Sequence, residues 1–216
     1  MNFFSKNTLF LDNISDSYIP PPTEHCDLYI DFDELVLLSK FVDGFNVISL
    51  NARSLMNKYD ELKSMILDFK KPIHCICLQE IWHIDQTNYF AVQLPGYSFH
   101  YISRPHSRGG GVGIYILNEC NAFVINDSKS MIPGVFEAIA ISFSVNSQTH
   151  IIGNFYLPNQ NQFHNFIPVY LKWLELLFNI SNNLIITADT NIDLMNINSD
   201  SKSFELFDTN CSFGIY

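Results

Sequence analysis

The sequence predicts an α/β fold in which two mixed β-sheets pack together and helices cover their outer faces. From Phe45 onward, short apolar runs of strand length alternate with amphipathic stretches of helical period, which indicates strand–helix–strand units. One pair of runs is separated by only a short turn and predicts a hairpin. With 216 residues, of which 47% are hydrophobic, the chain is long enough to bury a sizeable core.

Residues 1–44 are predicted to be an acidic, partly disordered leader in front of one domain over residues 45–216. The leader holds eight acidic and two basic residues, a net charge of −6, whereas the remainder holds 14 and ten, a net charge of −4. A proline-rich break at 19–25 precedes a predicted short acidic helix at 27–41. No apolar run reaches the roughly 20 residues of a membrane span, and no secretory signal is recognisable. We therefore expect an intracellular protein, nuclear or cytoplasmic, that does not bind a membrane.

The first half of the domain predicts a strand, a helix and a second strand. Residues 45–50 are apolar and rich in β-branched side chains, which favours a buried strand. Residues 55–70 place apolar side chains on one helical face, with Ser54 as a possible N-cap. Pro72 ends this helix, and residues 73–78 form the next buried strand.

The second half predicts further strands and two helices. The stretch after the second strand is less regular, with a turn at 95–97. A hairpin, a helix that Pro168 either kinks or starts, a buried strand and a final helix complete the pattern. In order, the predicted elements are a glycine-rich turn entering a strand (104–117), the hairpin strands (136–145 and 150–157), the long helix (163–180), the strand (184–188) and the last helix (199–208).

Five polar residues stand at or just beyond the ends of strand-like runs: Asn51, Glu80, Tyr156, Asp189 and Asn191. Carboxylate and amide oxygens are the ligands that Mg²⁺ prefers, and a phenol can donate to a phosphate oxygen. The pattern therefore favours a site for a divalent cation and a phosphate. Each residue alone also fits an ordinary role: a solvated loop acid for Glu80, an Asx turn for Asp189 and Asn191, and packing for Tyr156.

Metal binding by sulfur is not indicated. Cys75 and Cys77 share one face of a predicted strand, but no second Cys/His pair has the spacing of a zinc site, so buried free thiols are the better interpretation. The histidines, among them His83, His100 and His106, are typical of surface or turn positions. The net charge of −10 argues against strong non-specific binding to nucleic acid.

Six segments occur in the same order as in a known protein family. They are FNVISLNARSLMNKYDEL, IHCICLQEIW, a run with two arginines that ends in RGGGVGIYI, FEAIAI, IIGNFYLPN and IITADTNIDLM. Residues 45–210 thereby resemble the endonuclease/exonuclease/phosphatase superfamily. The similarity is greatest to the apurinic-endonuclease-like domain of non-LTR (LINE-type) retrotransposons, which occurs together with a reverse transcriptase. The resemblance implies a DNase-I-like four-layer sandwich and Mg²⁺-dependent (or Mn²⁺-dependent) hydrolysis of phosphodiesters, here the nicking of DNA.

The resemblance also implies roles for residues at the metal and the attacking water. Asn51 and Glu80 match the positions that lie at the metal ion. Asp189 matches the residue that orients or activates the nucleophilic water, and Asn191 stands beside it.

Further positions concern the phosphate and the nucleic acid. By the same resemblance, Tyr156 contacts the scissile phosphate, Asn159 supports it, and Glu137 matches a recurrent acid with a structural or uncertain role. Arg104 and Arg108, around the glycine run, are candidates for contacts with a nucleic-acid backbone. A tight turn that enters an edge strand is the equally good interpretation of that run.

Two departures from the family pattern affect the expected activity. Ala188 and Thr190 replace a glycine and an apolar residue of the usual GDFN segment, a change we expect to be tolerated. More severely, no residue after Asn191 matches the family's Ser-Asp-His motif, and the last histidine is His164. We therefore expect a domain whose last strands are missing, impaired hydrolysis, and a sheet edge open to a partner or to self-association.

Two other functions remain open from the sequence. The chain could be a catalytically inactive remnant, or a domesticated module that binds nucleic acid or protein. It could also be a phosphatase or an RNA exonuclease of the same superfamily. DNA is the expected partner, and binding is expected to be weak because of the acidic charge.

Overall fold

Nine strands and three α-helices make up the part of the chain that the structure, a computed structural model, describes: residues 45–215 without 70, 106–107, 146, 195–196 and 198. The leader predicted over residues 1–44 lies outside these described residues. The strands are β1 (Val47–Asn51), β2 (Cys75–Gln79), β3 (Tyr97–Ile102), β4 (Val112–Leu117), β5 (Phe123–Val124), β6 (Ser130–Ile132), β7 (Phe136–Val145), β8 (Gln148–Tyr156) and β9 (Leu184–Asp189). The helices are α1 (Leu55–Asp68), α2 (Phe163–Phe178) and α3 (Ser201–Ser212).

The strands form two mixed sheets. The first has the order β1-β2-β4-β3, and the second has the order β5-β7-β8-β9 with β6 beside β7. Among the described strands, β1 pairs in parallel with β2 and β8 with β9, and the other pairs are antiparallel. Each parallel pair is joined by a crossover helix, α1 in the first sheet and α2 in the second, because parallel strands need a long connection. The carboxyl ends of the two strands in each pair therefore meet at one edge of their sheet.

Three hydrophobic cores separate four layers. α1 packs Leu55 and Leu62 against the outer face of the first sheet, and α2 packs Trp173 and Leu177 against the outer face of the second. The third core lies between the sheets and contains Cys77 among other residues of both inner faces. The predicted fold class, two packed mixed sheets flanked by helices, is confirmed. None of the helices that the structure describes is long and apolar enough to cross a membrane.

Three local predictions differ from the structure. The stretch predicted to be less regular contains β3, whose aromatic residues alternate along the strand and pack on the first core. Ser54 makes no side-chain cap; its N–H and that of Leu55 instead donate to the carbonyls of Glu80 and Ile81, which follow β2. The late helix start predicted at Pro168 is wrong, since α2 begins at Phe163; Pro168 lies inside the helix, and the alternative of a kink there stays a prediction.

Candidate active site

The candidate site lies where the two parallel pairs end on the same side of the sandwich. Asn51 is the last residue of β1, and Glu80 directly follows β2. Tyr156 and Asp189 are the last residues of β8 and β9, and they stand opposite each other in the pairing of these strands. Both sheets thus contribute two side chains each to one location.

The structure brings these four residues into one hydrogen-bonded cluster. The Asn51 Nδ2 donates to Glu80 Oε1 at 2.9 Å and to Asp189 Oδ2 at 2.6 Å. The Tyr156 hydroxyl donates to the same Glu80 Oε1 at 3.0 Å. Asn51 therefore spaces the two carboxylates through its amide nitrogen, while its Oδ1 accepts from the Arg53 N–H at 3.1 Å.

Backbone strain is concentrated around this cluster. Five of the seven non-glycine residues with positive φ in the described chain lie here: Arg53, Ser54, Glu80, Trp82 and Asn191. Such a conformation costs about 1–3 kcal/mol per residue and persists where the surrounding structure enforces it. For Glu80 the reason is visible. Gln79 points into the sandwich, so the next side chain of an extended strand would point outward. The φ of 51° at Glu80 breaks that alternation, and the carboxylate reaches Asn51 and Tyr156.

The environment of Tyr156 keeps its phenol protonated. Burial raises the pKa of Tyr156 well above 10, and the negative charge of Glu80 and the hydrogen bond to it raise that pKa further. Tyr156 is therefore a hydrogen-bond donor throughout the physiological pH range. A phenol held in this state can donate to an anionic oxygen but does not act as a base.

Asn191 and Asn159 belong to the loops that support the cluster. The Asn191 N–H donates to Asp189 Oδ1 at 3.2 Å, and its Nδ2 donates to the Leu157 carbonyl at 2.9 Å. Asn191 thus makes the Asx-type contact expected of this segment and ties the ends of β8 and β9 together. The exposed Asn159 uses its Oδ1 to accept from the Asn161 N–H at 2.9 Å, as the cap of a short 3₁₀ turn.

Arg104 is engaged inside the protein. Its guanidinium forms an ion pair with Glu137, whose side chain is fully buried, and Glu137 Oε2 also accepts from the Gly111 N–H. Gly110 packs so closely against this pair that a Cβ at its position would lie 2.7 Å from Glu137 Oε2. Of the two arginines predicted to contact a nucleic-acid backbone, Arg104 is occupied by Glu137, whereas Arg108 is exposed and its contact stays a prediction.

The glycine run also fixes the segment that carries Glu80. The carbonyls of Gly111 and Gly110 accept hydrogen bonds from the N–H groups of Ile81 and Trp82 at 3.3 and 2.9 Å. Glu137 in turn pairs with Tyr156 across β7 and β8. The Arg104–Glu137 pair therefore lies directly behind the cluster and braces two of its members.

No family model matches the sequence, and no curated protein matches it. Solved structures do match. One is the endonuclease domain of TRAS1, a telomere-specific non-LTR retrotransposon, with 12% identity, a TM-score of 0.57, and coverage of 79% of this chain and 71% of that chain. A second is the AP endonuclease LMAP from Leishmania major, with 16% identity, a TM-score of 0.59, and coverage of 78% and 66%.

A third is the 3′ phosphatase NExo from Neisseria, in a structure with a product DNA hairpin. It shows 13% identity, a TM-score of 0.55, and coverage of 77% of this chain and 70% of that chain. With TM-scores above 0.5 over more than three quarters of this chain, these proteins share its fold. The chain has the endonuclease/exonuclease/phosphatase fold.

The donor set of this endonuclease/exonuclease/phosphatase-fold chain fits a hard divalent cation. Glu80 and Asp189 both accept from the Asn51 Nδ2, at 2.9 and 2.6 Å. The two accepting oxygens therefore lie at most about 5.5 Å apart. Glu80 Oε2 accepts no hydrogen bond from any residue that the structure describes. Two close carboxylates and an amide suit Mg²⁺, which usually keeps several waters. No group of three or more His, Cys, Asp or Glu side chains with metal-binding geometry occurs among the described residues.

Sequence reasoning missed a second set of polar residues beneath the cluster. Ser49, Gln79, Asn154 and Thr187 lie on the inner faces of β1, β2, β8 and β9 and are hydrogen-bonded to one another. A signal was present, since each of these residues is a polar interruption of an otherwise apolar strand. Only the pairing of distant strands shows that all four interruptions come together between the sheets.

Proposed function

We propose that this chain is a Mg²⁺-dependent (or Mn²⁺-dependent) phosphodiesterase that acts on DNA. One observation carries the proposal: Asn51, Glu80, Tyr156 and Asp189, from four strands of two sheets, converge in one cluster of carboxylate, amide and phenol groups. The fold shared with proteins described as endonucleases and as a 3′ phosphatase supports it.

The cation is held on the Glu80 side of the cluster. Glu80 offers a carboxylate whose second oxygen is not engaged by described residues, and Asn51 fixes its distance from Asp189. A bound Mg²⁺ would supply positive charge to the phosphoryl oxygen and favour deprotonation of a nearby water. The Asn51 Oδ1 accepts one hydrogen bond, from the Arg53 N–H, and has a second lone pair that can face a cation, as its proposed role as a ligand requires.

Asp189 and Tyr156 act on the water and the phosphate. The Asp189 carboxylate is fixed by Asn51 on one oxygen and by the Asn191 N–H on the other, so it can orient a water and accept its proton. The protonated Tyr156 phenol can transfer its hydrogen bond from Glu80 to a phosphate oxygen. A fixed donor aimed at developing negative charge is worth more in such a partly buried site than in water.

We further propose that the substrate is duplex DNA, which is nicked, and that these 216 residues alone turn over slowly. The residues contain no histidine after His164, so they do not supply the Asp–His pair implied by the family resemblance. Loss of one member of a catalytic group commonly costs several orders of magnitude in rate. The net charge of −10 predicts weak and strongly salt-dependent binding of DNA.

The test is nicking of supercoiled plasmid at low salt, with Mg²⁺, with Mn²⁺ and with EDTA. We expect metal-dependent nicking by the parent chain and none by Glu80→Gln or Asp189→Asn. Glu175→Gln, an exposed acid on α2, is the matched control and should nick like the parent. Metal-dependent nicking that survives both site substitutions would show that the site is elsewhere.

The absence of a histidine after His164 also favours a second candidate, a nucleic-acid-binding module without turnover. Binding of a fluorescent DNA duplex that is unaffected by Glu80→Gln, together with no nicking under any metal condition, would support this candidate. A 3′-phosphorylated oligonucleotide and a single-stranded RNA in the same assay test the phosphatase and RNA exonuclease alternatives.

The open edge of β9 is the proposed site of self-association. In the described chain β9 pairs with β8 alone, and its residues are mostly only half-buried. Unpaired strand edges bind other strands, and an edge lysine opposes such pairing. We expect sedimentation velocity to show mass increasing with concentration, and Ala188→Lys, at an exposed position, to reduce it. A monomer at all concentrations would contradict this prediction.

A further inference from the structure

A buried polar layer lies directly beneath the candidate site, within the otherwise apolar space between the sheets. It consists of Ser49, Gln79, Asn154 and Thr187, and the last three are 2%, 0% and 2% exposed. The residues beyond it in the same space are apolar, among them Cys77 and Ile152. Buried polar side chains are costly unless they are bonded, so a complete layer of them requires an explanation.

Asn154 is the centre of this layer and joins the two sheets. From β8 in the second sheet, its Nδ2 donates to the carbonyls of Leu78 and Gly113 at 2.9 and 3.0 Å. These two residues pair with each other in β2 and β4 of the first sheet. The Asn154 side chain thus spans the gap between the sheets and contacts the main chain of both central strands of the first sheet.

The other members of the layer fix the orientation of the Asn154 amide. Its Oδ1 accepts from Gln79 Nε2 at 2.5 Å and from Thr187 Oγ1 at 3.1 Å. Gln79 also donates to Ser49 Oγ at 3.1 Å, which brings β1 into the network. Because two donors meet the oxygen and two carbonyls meet the nitrogen, only one orientation of the amide satisfies all four partners.

Each member of the layer precedes a residue of the candidate site by one or two positions in the sequence. Asn51, Tyr156 and Asp189 follow Ser49, Asn154 and Thr187 by two residues, and therefore lie on the same strand face. Glu80 directly follows Gln79 and turns inward through its positive φ. The hydrogen bonds that fix the polar layer therefore also fix the strand positions of the four site residues, which lie one or two residues further along the chain.

We propose that Asn154 is a positioning residue. Through the buried polar layer it sets the position of one sheet relative to the other, and that position brings Asn51, Glu80, Tyr156 and Asp189 together. This inference rests on the proposed function for its consequence, but its structural content is independent of it. Apolar contacts between sheets are non-directional and tolerate small slides, whereas the Asn154 bonds do not. A purely structural role, in which the layer adds stability and nothing else, is the alternative.

The test compares three substitutions in the full chain with a matched control. Asn154→Leu keeps the branching at Cγ, although the side chain is larger, and removes all four bonds. Thr187→Val keeps the shape and removes only the hydroxyl that orients the Asn154 amide, and Thr187→Ser restores a hydroxyl. Ile152→Val, on the same inner face of β8, is the control, because it weakens packing between the sheets without touching the polar layer.

Two properties are measured at a temperature where every variant is fully folded by circular dichroism. The first is the dissociation constant for Mn²⁺, obtained from the electron paramagnetic resonance signal of the free ion. The second is the position of the Asn51 side-chain NH₂ signals in ¹⁵N–¹H spectra without metal, since that group donates to Glu80 and Asp189.

We expect Asn154→Leu to raise the Mn²⁺ dissociation constant at least tenfold and to shift the Asn51 signals towards those of an exposed asparagine. Thr187→Val should do the same to a smaller degree, Thr187→Ser should restore the parent values, and Ile152→Val should stay within twofold. If Asn154→Leu does not fold, the Thr187 pair decides the matter. Unmoved Asn51 signals in Thr187→Val, or equal shifts in Ile152→Val, would overturn the proposal. If the parent binds no Mn²⁺, the proposed function fails, while the Asn51 signals still decide the positioning role.

Discussion

Replacing Glu137 by glutamine should destabilise the protein far more than loss of one negative charge normally does. Its two carboxylate oxygens meet different donors, Oε1 the Arg104 guanidinium and Oε2 the Gly111 N–H. Glutamine has only one side-chain oxygen, so its NH₂ group must face one of these two donors. The substitution also leaves the Arg104 guanidinium without its counter-ion, in a side chain that is only 20% exposed.

The magnitude follows from these contacts. Breaking a buried ion pair by removing one partner costs about 3–5 kcal/mol, and the partial exposure of Arg104 places this case near the lower end. We therefore expect Glu137→Gln to reduce the free energy of unfolding by about 3 kcal/mol. For a domain of this size, a loss of that magnitude corresponds to a decrease of roughly 6–12 °C in Tm.

The assay is urea unfolding followed by tryptophan fluorescence, with the control substitution Glu175→Gln. Glu175 is exposed on α2, so the control should change the free energy of unfolding by no more than about 0.5 kcal/mol. A loss below about 1 kcal/mol for Glu137→Gln would refute the reasoning, because the Arg104–Glu137–Gly111 arrangement would then not hold the region together.

Three further predictions concern the phenol, pH and packing. Tyr156→Phe removes the donor to Glu80 and should slow plasmid nicking on the order of 10²-fold while the urea midpoint remains close to that of the parent; an unchanged rate would exclude a role for the phenol. Burial lowers the pKa of His74 and of His150 below the ordinary 6.5, so the unfolded chain binds protons more readily than the folded one. The contribution of these histidines to stability is therefore complete above pH 6.5 and should fall as the pH drops below 6.5. His150→Gln should flatten the plot of urea midpoint against pH, and an equally steep plot would contradict this prediction. Gly153→Ala places a Cβ 2.5 Å from Trp173 and should cost about 1–3 kcal/mol in urea unfolding; a loss within experimental error would mean that α2 is not closely packed on β8.

Local patterns in the sequence predicted most of the fold. The apolar runs around Ile48, Ile76 and Ile186 became strands, and the apolar face of residues 163–180 became α2, because burial of each element depends mainly on its own periodicity. β3 was missed although Tyr97, Phe99 and Tyr101 alternate along it. Their aromatic side chains cover the outer face of the first sheet, and the residues between them are polar. The strand therefore lacks the uniformly apolar run by which the other strands were recognised.

The candidate site was predictable in its residues but not in its bonds. Asn51, Glu80 and Asp189 could be named from their positions after apolar runs. Two features depend on contacts between distant parts of the chain. Asn51 bonds to both carboxylates, and Glu137 occupies Arg104. No local pattern contains that information, since the register of non-adjacent strands is set by the assembled sheets.

The wide sequence separation of the cluster has a consequence for how the protein folds. The bond from Asn51 to Asp189 joins residues 138 positions apart, and contacts of that span form late and slowly. By contrast, the core beneath α1 is built from residues between Ile48 and Tyr115, so it can assemble early. At synthesis rates of about 5–20 residues per second, β1 leaves the ribosome roughly 7–28 s before β9 does. During that interval the amide of Asn51 can already bond to Glu80 but lacks Asp189, and the cluster is completed only when the second sheet docks.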